Sequence, residues 1–114
     1  MPHFVMECSS NIVKLKEPQQ IIQAVYDTAE ATQLFTPGDI KVRIRSFDDF
    51  TVGNTTDDFI HVFAYIMEGR TQEQKKKLSK SVVQTLQSIF PEVPILSINI
   101  MDFEKATYFN KSQL

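Results

Sequence analysis

Asp58-Phe59-Ile60-His61-Val62-Phe63-Ala64-Tyr65-Ile66-Met67 is rich in aromatic and β-branched residues and has the length of a strand. Successive side chains of a strand point to opposite faces. Ile60, Val62, Ala64 and Ile66 therefore share one side, and Phe59, Phe63, Tyr65 and Met67 share the other. Both sides are apolar. Such a strand belongs inside a sheet that is covered on both faces.

Upstream, Ile40-Lys41-Val42-Arg43-Ile44-Arg45 alternates cleanly, with Ile40, Val42 and Ile44 on one face and three cations on the other. Gly53-Asn54-Thr55-Thr56 marks the turn between these two strands. Before them, Ile21, Val25 and Ala29 recur at helical spacing, which predicts a helix from about Pro18 to Leu34. Proline suits the first helical turn, where its missing N–H is not needed. Thr36-Pro37-Gly38-Asp39 closes that segment. The chain begins with a strand, Pro2 to Cys8, with Phe4, Met6 and Cys8 on one face.

Downstream, Thr71-Gln72-Glu73-Gln74 has the capping-box pattern. It opens a second helix whose stripe is Leu78, Val82, Leu86, Ile89 and Phe90, with Pro91 as the stop. Pro94 to Met101 reads as a fourth strand, and Asp102 to Leu114 as a polar tail carrying Phe103, Tyr108 and Phe109. The order β-α-β-β-α-β predicts an α+β fold: two β-α-β units forming a four-stranded sheet. Right-handed crossovers in both units place both helices on one face. The other face then needs another subunit to cover it, so the pattern predicts an oligomer.

Composition narrows the class. A chain of 114 residues has room for a single domain, 1–114. With 42% hydrophobic and 23% charged residues it is globular rather than disordered. Twelve Lys+Arg against 14 Asp+Glu give a net charge of −2, which supplies no basic field for nucleic acid. No strand carries the basic-Gly-aromatic signature of an RNA-recognition domain. The run Lys75-Lys76-Lys77 with Lys80 fits a solvated helix face. One cysteine, Cys8, excludes an internal disulfide and fits a reducing compartment. No apolar run approaches a membrane span, and no signal-peptide pattern opens the chain, so the expectation is a small cytoplasmic protein with no membrane partner.

Familiar catalytic constellations are absent: there is no P-loop, GxGxxG, CxxC or HExxH, and His3 and His61 both fall within strands. What stands out is Pro2 at the start of a strand, with Lys41, Arg43 and Arg70 elsewhere. Removal of Met1 leaves Pro2 with a free secondary amine. Burial and cationic neighbours both lower the pKa of an amine. An amine that is neutral near pH 7 is a competent general base for a proton beside a carbonyl or enol. Each of these residues also has a plain structural reading. Proline after the initiator Met is common, Arg70 fits a turn before a helix, and the Lys41, Arg43 and Arg45 stripe fits a solvated strand face.

The opening Met1-Pro2-His3-Phe4-Val5-Met6-Glu7-Cys8-Ser9-Ser10-Asn11-Ile12 resembles the start of the 5-carboxymethyl-2-hydroxymuconate Δ-isomerase family of the tautomerase superfamily. Ala31-Thr32-Gln33-Leu34-Phe35, Ile40-Lys41-Val42-Arg43 and Gly69-Arg70-Thr71 extend the likeness along the chain. The macrophage migration inhibitory factor branch shares the length and Pro2 but matches the rest less well. The resemblance implies a cofactor-free isomerase acting on a small, unsaturated, carboxylated keto-enol acid from aromatic catabolism. It implies a homotrimer with sheets packed inward. It gives Pro2 the role of general base and Arg70 that of binding a carboxylate or stabilising developing charge. Lys41 aligns with a family arginine, Arg43 lies two residues along the same face, and Phe109 aligns with a tail aromatic that would close the pocket. Lysine attracts a carboxylate only as a point charge, without the planar fork of a guanidinium. A non-catalytic protein of the same fold, binding a small anion or a protein partner, is the alternative.

Overall fold

The computed structural model describes all 114 residues, Met1–Leu114. Its strands β1 (His3–Ser9), β2 (Lys41–Phe47), β3 (Phe59–Met67) and β4 (Ile95–Phe103) form one sheet in the order β2-β1-β3-β4. β1 is parallel to β2, β3 is parallel to β4, and the central pair β1 and β3 is antiparallel. Between them run α1 (Ile12–Leu15), α2 (Pro18–Ala31) and α3 (Gln72–Ile89). The two β-α-β units of the sequence reading are therefore present, joined through β1 and β3.

Both long helices cover the same face. Phe4, Met6 and Cys8 of β1 and Ile60, Val62 and Ala64 of β3 are fully buried in one cluster with Ile21, Val25 and Ala29 of α2 and Leu78, Val82 and Leu86 of α3. Removing this much apolar surface from water is the main force holding helices to sheet. The opposite face carries His3, Val5 and Glu7 of β1 and Phe59, His61, Phe63, Tyr65 and Met67 of β3, all half-buried. One corner is covered by Phe103, the last residue of β4, which runs two residues past the expected Met101 because its ladder with β3 continues to Met67, and by Tyr108 of the tail. Phe103 stacks on Tyr65 at 6.0 Å and meets His3 edge-on, and Tyr108 tilts against Phe103 at 5.4 Å.

α3 starts where its capping box predicts: the Thr71 hydroxyl accepts from the Gln74 amide, and the Gln74 side chain accepts from the Thr71 amide. The short α1 is absent from the sequence reading. It turns the chain after β1 so that Ile12 is fully buried. Its entry is fixed by Asp58, whose two carboxylate oxygens accept from Ser9 Oγ at 2.8 Å and Asn11 Nδ2 at 2.9 Å. One acidic side chain thus ties the end of β1 to the start of β3.

α2 stops at Ala31, three residues before the expected Leu34. The cause is local. The Thr32 hydroxyl donates to the Ala29 carbonyl at 2.6 Å and accepts from the Leu34 amide, offering the backbone an alternative to another helical turn. Gln33 then adopts φ 60°, in the left-handed region. A non-glycine residue there costs about 1–2 kcal/mol, and glycine returns about 0.4–1 kcal/mol through its freer unfolded state. Gln33→Gly is therefore expected to stabilise the fold by roughly 0.5–1 kcal/mol, read from urea unfolding. Gln33→Ala, which keeps the Cβ, is expected to give no such gain, and equal gains from both variants would contradict a left-handed strain at this residue.

Candidate active site

Pro2 immediately precedes β1, and its ring is fully buried. Proline is tolerated at such a position because a first strand residue need not donate to the ladder. Its carbonyl still accepts from the Lys41 amide at 3.0 Å, which docks the start of β2 beside it. On the other side His3 pairs with Tyr65, so the start of β1 lies next to the end of β3.

The charges that reach this corner come from three segments. The terminal amine, carried by Met1, is held below the usual α-amino range. Burial is the largest cause; Asp39 opposes it, and Lys41 and Arg70 add to it. The Lys41 ammonium donates to the Asp39 carbonyl at 2.9 Å, which fastens the two residues together at the head of β2.

Arg70 is placed by the turn between β3 and α3. Gly69, at φ 117°, supplies a backbone conformation that a side chain would resist. The guanidinium then folds back over the end of α2. Nη1 donates to the Met67 carbonyl at 3.2 Å, Nη2 donates to the Leu34 carbonyl, and the group lies 5.2 Å from the centre of the Phe35 ring. A guanidinium has five N–H donors. Two are committed here, so the remainder stay available to an anion.

Arg43 and Phe109 are placed elsewhere. Arg43 Nη1 lies 3.1 Å from His3 Nδ1 on the open face of the sheet. Together with Glu7, Arg45, Tyr65 and Phe103 they line a groove of about 600 Å³, and neither Pro2 nor Arg70 borders it. Phe109 is 62% exposed; its neighbour Tyr108 is the tail aromatic that packs inward. Of the five residues singled out by sequence, Pro2, Lys41 and Arg70 gather at one corner. Two participants escaped that reading. Asp39 looked like part of a turn, and Phe35 like one apolar residue in a supporting motif.

Other reactive groups have structural occupations. The Cys8 thiol is pushed up to about 11 by burial, with the Asp58 charge adding to it. It is no nucleophile at neutral pH. His61 bridges Ser97 and Asn99 of β4, each at 2.7 Å. A groove of about 840 Å³ between α2 and α3 is lined mainly by hydroxyls and amides. Several of its hydroxyls are already partnered: Thr28 donates to the Ala24 carbonyl and bonds Thr85 across the two helices at 2.6 Å, and Ser88 donates to Thr85. Of the lysine run, Lys75 pairs with Asp102 at 3.1 Å, and Lys76, Lys77 and Lys80 are exposed. No three His, Cys, Asp or Glu side chains converge as metal ligands, and no helix is long and apolar enough to cross a membrane.

Comparison with known proteins points the same way. A family model described as 5-carboxymethyl-2-hydroxymuconate isomerase matches residues 2–114. A 5-carboxymethyl-2-hydroxymuconate Delta-isomerase from Escherichia coli is 24% identical over 106 residues, covering 91% of this chain and 84% of that protein. The crystal structure of a 5-carboxymethyl-2-hydroxymuconate isomerase from Deinococcus radiodurans R1 superposes with a TM-score of 0.84 at 24% identity, covering 96% of this chain and 88% of its own. A structure described as a fused 4-OT wild type symmetric trimer superposes with a TM-score of 0.77 at 14% identity, covering 96% and 94%.

His3 gives this corner a pH signature. Its pKa is lowered by burial first, then by Arg43, Lys41 and the terminal amine. An Nδ1 that accepts from Arg43 is unprotonated, which agrees with that direction. The unfolded chain therefore binds more protons than the folded one below the usual imidazole pKa of about 6.5. Stability is expected to be lost as pH falls through that value, and His3→Gln is expected to flatten this part of the curve. Urea midpoints measured from pH 7.5 down to pH 5 check it; an equally steep decline in the variant would contradict the assignment.

Proposed function

The chain belongs to the 5-carboxymethyl-2-hydroxymuconate isomerase family, and from that premise we propose that it is a cofactor-independent tautomerase whose base is the amine of Pro2. The observation that carries the proposal is the corner at the start of β1, where a fully buried proline meets two cations and one carboxylate. With Met1 attached, the Pro2 nitrogen is an amide and has no basicity. Its removal moves the terminal amine one residue further in, onto the nitrogen of the Pro2 ring, which is fully buried behind Met1. Burial and the fields of Lys41 and Arg70 then act on the reacting nitrogen itself, and both favour the neutral form. Asp39 supplies the opposite charge when the amine takes up a proton.

The reaction is a proton relocation along a conjugated acid. The Pro2 amine takes the proton of the 2-hydroxy group, and the oxygen lone pair closes to a carbonyl as the double bonds shift. The ammonium returns the same proton to a distant carbon, so no atom is gained or lost. Arg70 binds a substrate carboxylate through its uncommitted donors, for which a planar guanidinium is suited. Lys41 attracts the same negative charge from the head of β2. Arg43 and Phe109 stand further out, Arg43 beside His3 on the open face and Phe109 exposed in the tail. The substrate class is an unsaturated, carboxylated 2-hydroxy acid such as 5-carboxymethyl-2-hydroxymuconate, the compound in the family's name.

A homotrimer completes this reading. The half-buried aromatic face of β3 needs a cover beyond the corner taken by Phe103 and Tyr108, and the fused 4-OT structure of the same fold is described as a symmetric trimer. Positioned general bases contribute about 10²–10⁴-fold. Pro2→Ala is therefore expected to lower ketonisation of a 2-hydroxymuconate substrate by at least roughly a hundredfold, using protein whose intact mass shows that Met1 is gone. Unchanged turnover in the variant would overturn the mechanism. No turnover by the Met1-free parent on a panel of 2-hydroxydienoates would instead favour a non-catalytic, anion-binding protein.

A further inference from the structure

We propose that Phe35 is a positioning residue for Arg70: its ring is the shelf that holds the guanidinium against the start of β1. The inference rests on the reading of Arg70 as the carboxylate-binding group. Phe35 follows the left-handed Gln33 and the early stop of α2, so the chain there leaves the helix and crosses toward the sheet. The Phe35 ring faces two partners. One edge contact, at 6.0 Å and 77°, is with Phe4 of β1, two residues after Pro2. The guanidinium of Arg70 lies over the ring, 5.2 Å from its centre. A single aromatic side chain thus spans the strand that carries the base and the cation that carries the substrate.

The two hydrogen bonds of Arg70 do not make this shelf redundant. Both accept at main-chain carbonyls, of Met67 and Leu34, and fix the ends of the fork. They leave its plane free to tilt about the line between them. The electron-rich face of an aromatic ring attracts a cation within about 6 Å, and it does so without consuming a donor. The N–H groups that do not bond these carbonyls stay uncommitted. An aliphatic residue of similar size fills the space and keeps the contact with Phe4, but it offers no such attraction.

Cation–π contacts span about 0.5 to 2 kcal/mol, and each 1.4 kcal/mol is tenfold in affinity. Phe35→Leu is expected to raise KM for the carboxylated substrate by roughly tenfold, with kcat changed by less than about twofold, the pattern of lost uniform binding. Phe35→Tyr, which keeps the ring, is expected to restore KM. In an Arg70→Ala background Phe35→Leu is expected to have no further effect, because the group it positions is gone. Melting temperatures of each variant accompany the kinetics, and Phe35→Met takes the place of Phe35→Leu should the latter fail to fold. The proposal is overturned if KM is unchanged in Phe35→Leu, or rises equally with and without Arg70. Its failure is distinct from failure of the functional reading, which Pro2→Ala tests separately: loss of turnover there, with no effect at Phe35, removes the shelf alone.

Discussion

The pairing of β1 on both of its edges is the constraint from which the rest of the structure follows. A terminal strand placed at the edge of a sheet leaves its end in water. Here β1 is bonded to β2 on one side and to β3 on the other, so the first residues of the chain lie in the middle of the sheet. Their alternate side chains go under the helices, and the Pro2 ring is buried with Phe4, Met6 and Cys8. A charged amine is costly to keep in such a place. Interior position and weakened basicity are therefore two aspects of one arrangement.

The same pairing decides which residues arrive beside the amine. A parallel neighbour on one side brings the head of β2, with Asp39 and Lys41. An antiparallel neighbour on the other brings the end of β3, with Met67, Gly69 and Arg70. Two turns complete the corner. The positive φ of Gly69 sends Arg70 back toward the segment after α2, and the left-handed Gln33 brings Leu34 and Phe35 under it. At the far end of the central pair, Asp58 holds Ser9 and Asn11. That anchor opposes slippage between β1 and β3, and a slip of one residue would exchange the buried and open faces of a strand.

Much of this was legible in the chain. Alternation in Ile40–Arg45 and the aromatic, β-branched run Asp58–Met67 placed β2 and β3, and the capping box at Thr71 located the start of α3 to the residue. Apolar residues on both faces of β3 signalled a sheet whose second face needs a cover. The illegible parts are those set by side-chain competition or by tertiary approach. The Thr32 hydroxyl ends α2 three residues before the expected Leu34, and α1 is too short to show a period. At the site, Pro2, Lys41 and Arg70 were conspicuous as residue types. Asp39 and Phe35 were not, because their significance lies in what the fold sets beside them. Arg43 shares a strand face with Lys41, but it lies two residues further along β2, opposite Val5, where its guanidinium meets the His3 ring over the open groove.

In the proposed mechanism, burial at the start of β1 weakens the basicity of the Pro2 amine once Met1 is removed. ¹⁵N NMR titration of Met1-free protein labelled at proline reads that amine directly. The Pro2 nitrogen is expected to titrate below the ordinary α-amino range of about 7.7–8.0 and to be largely neutral at physiological pH. A titration at or above that range would contradict it, because the base would then be protonated whenever substrate arrived.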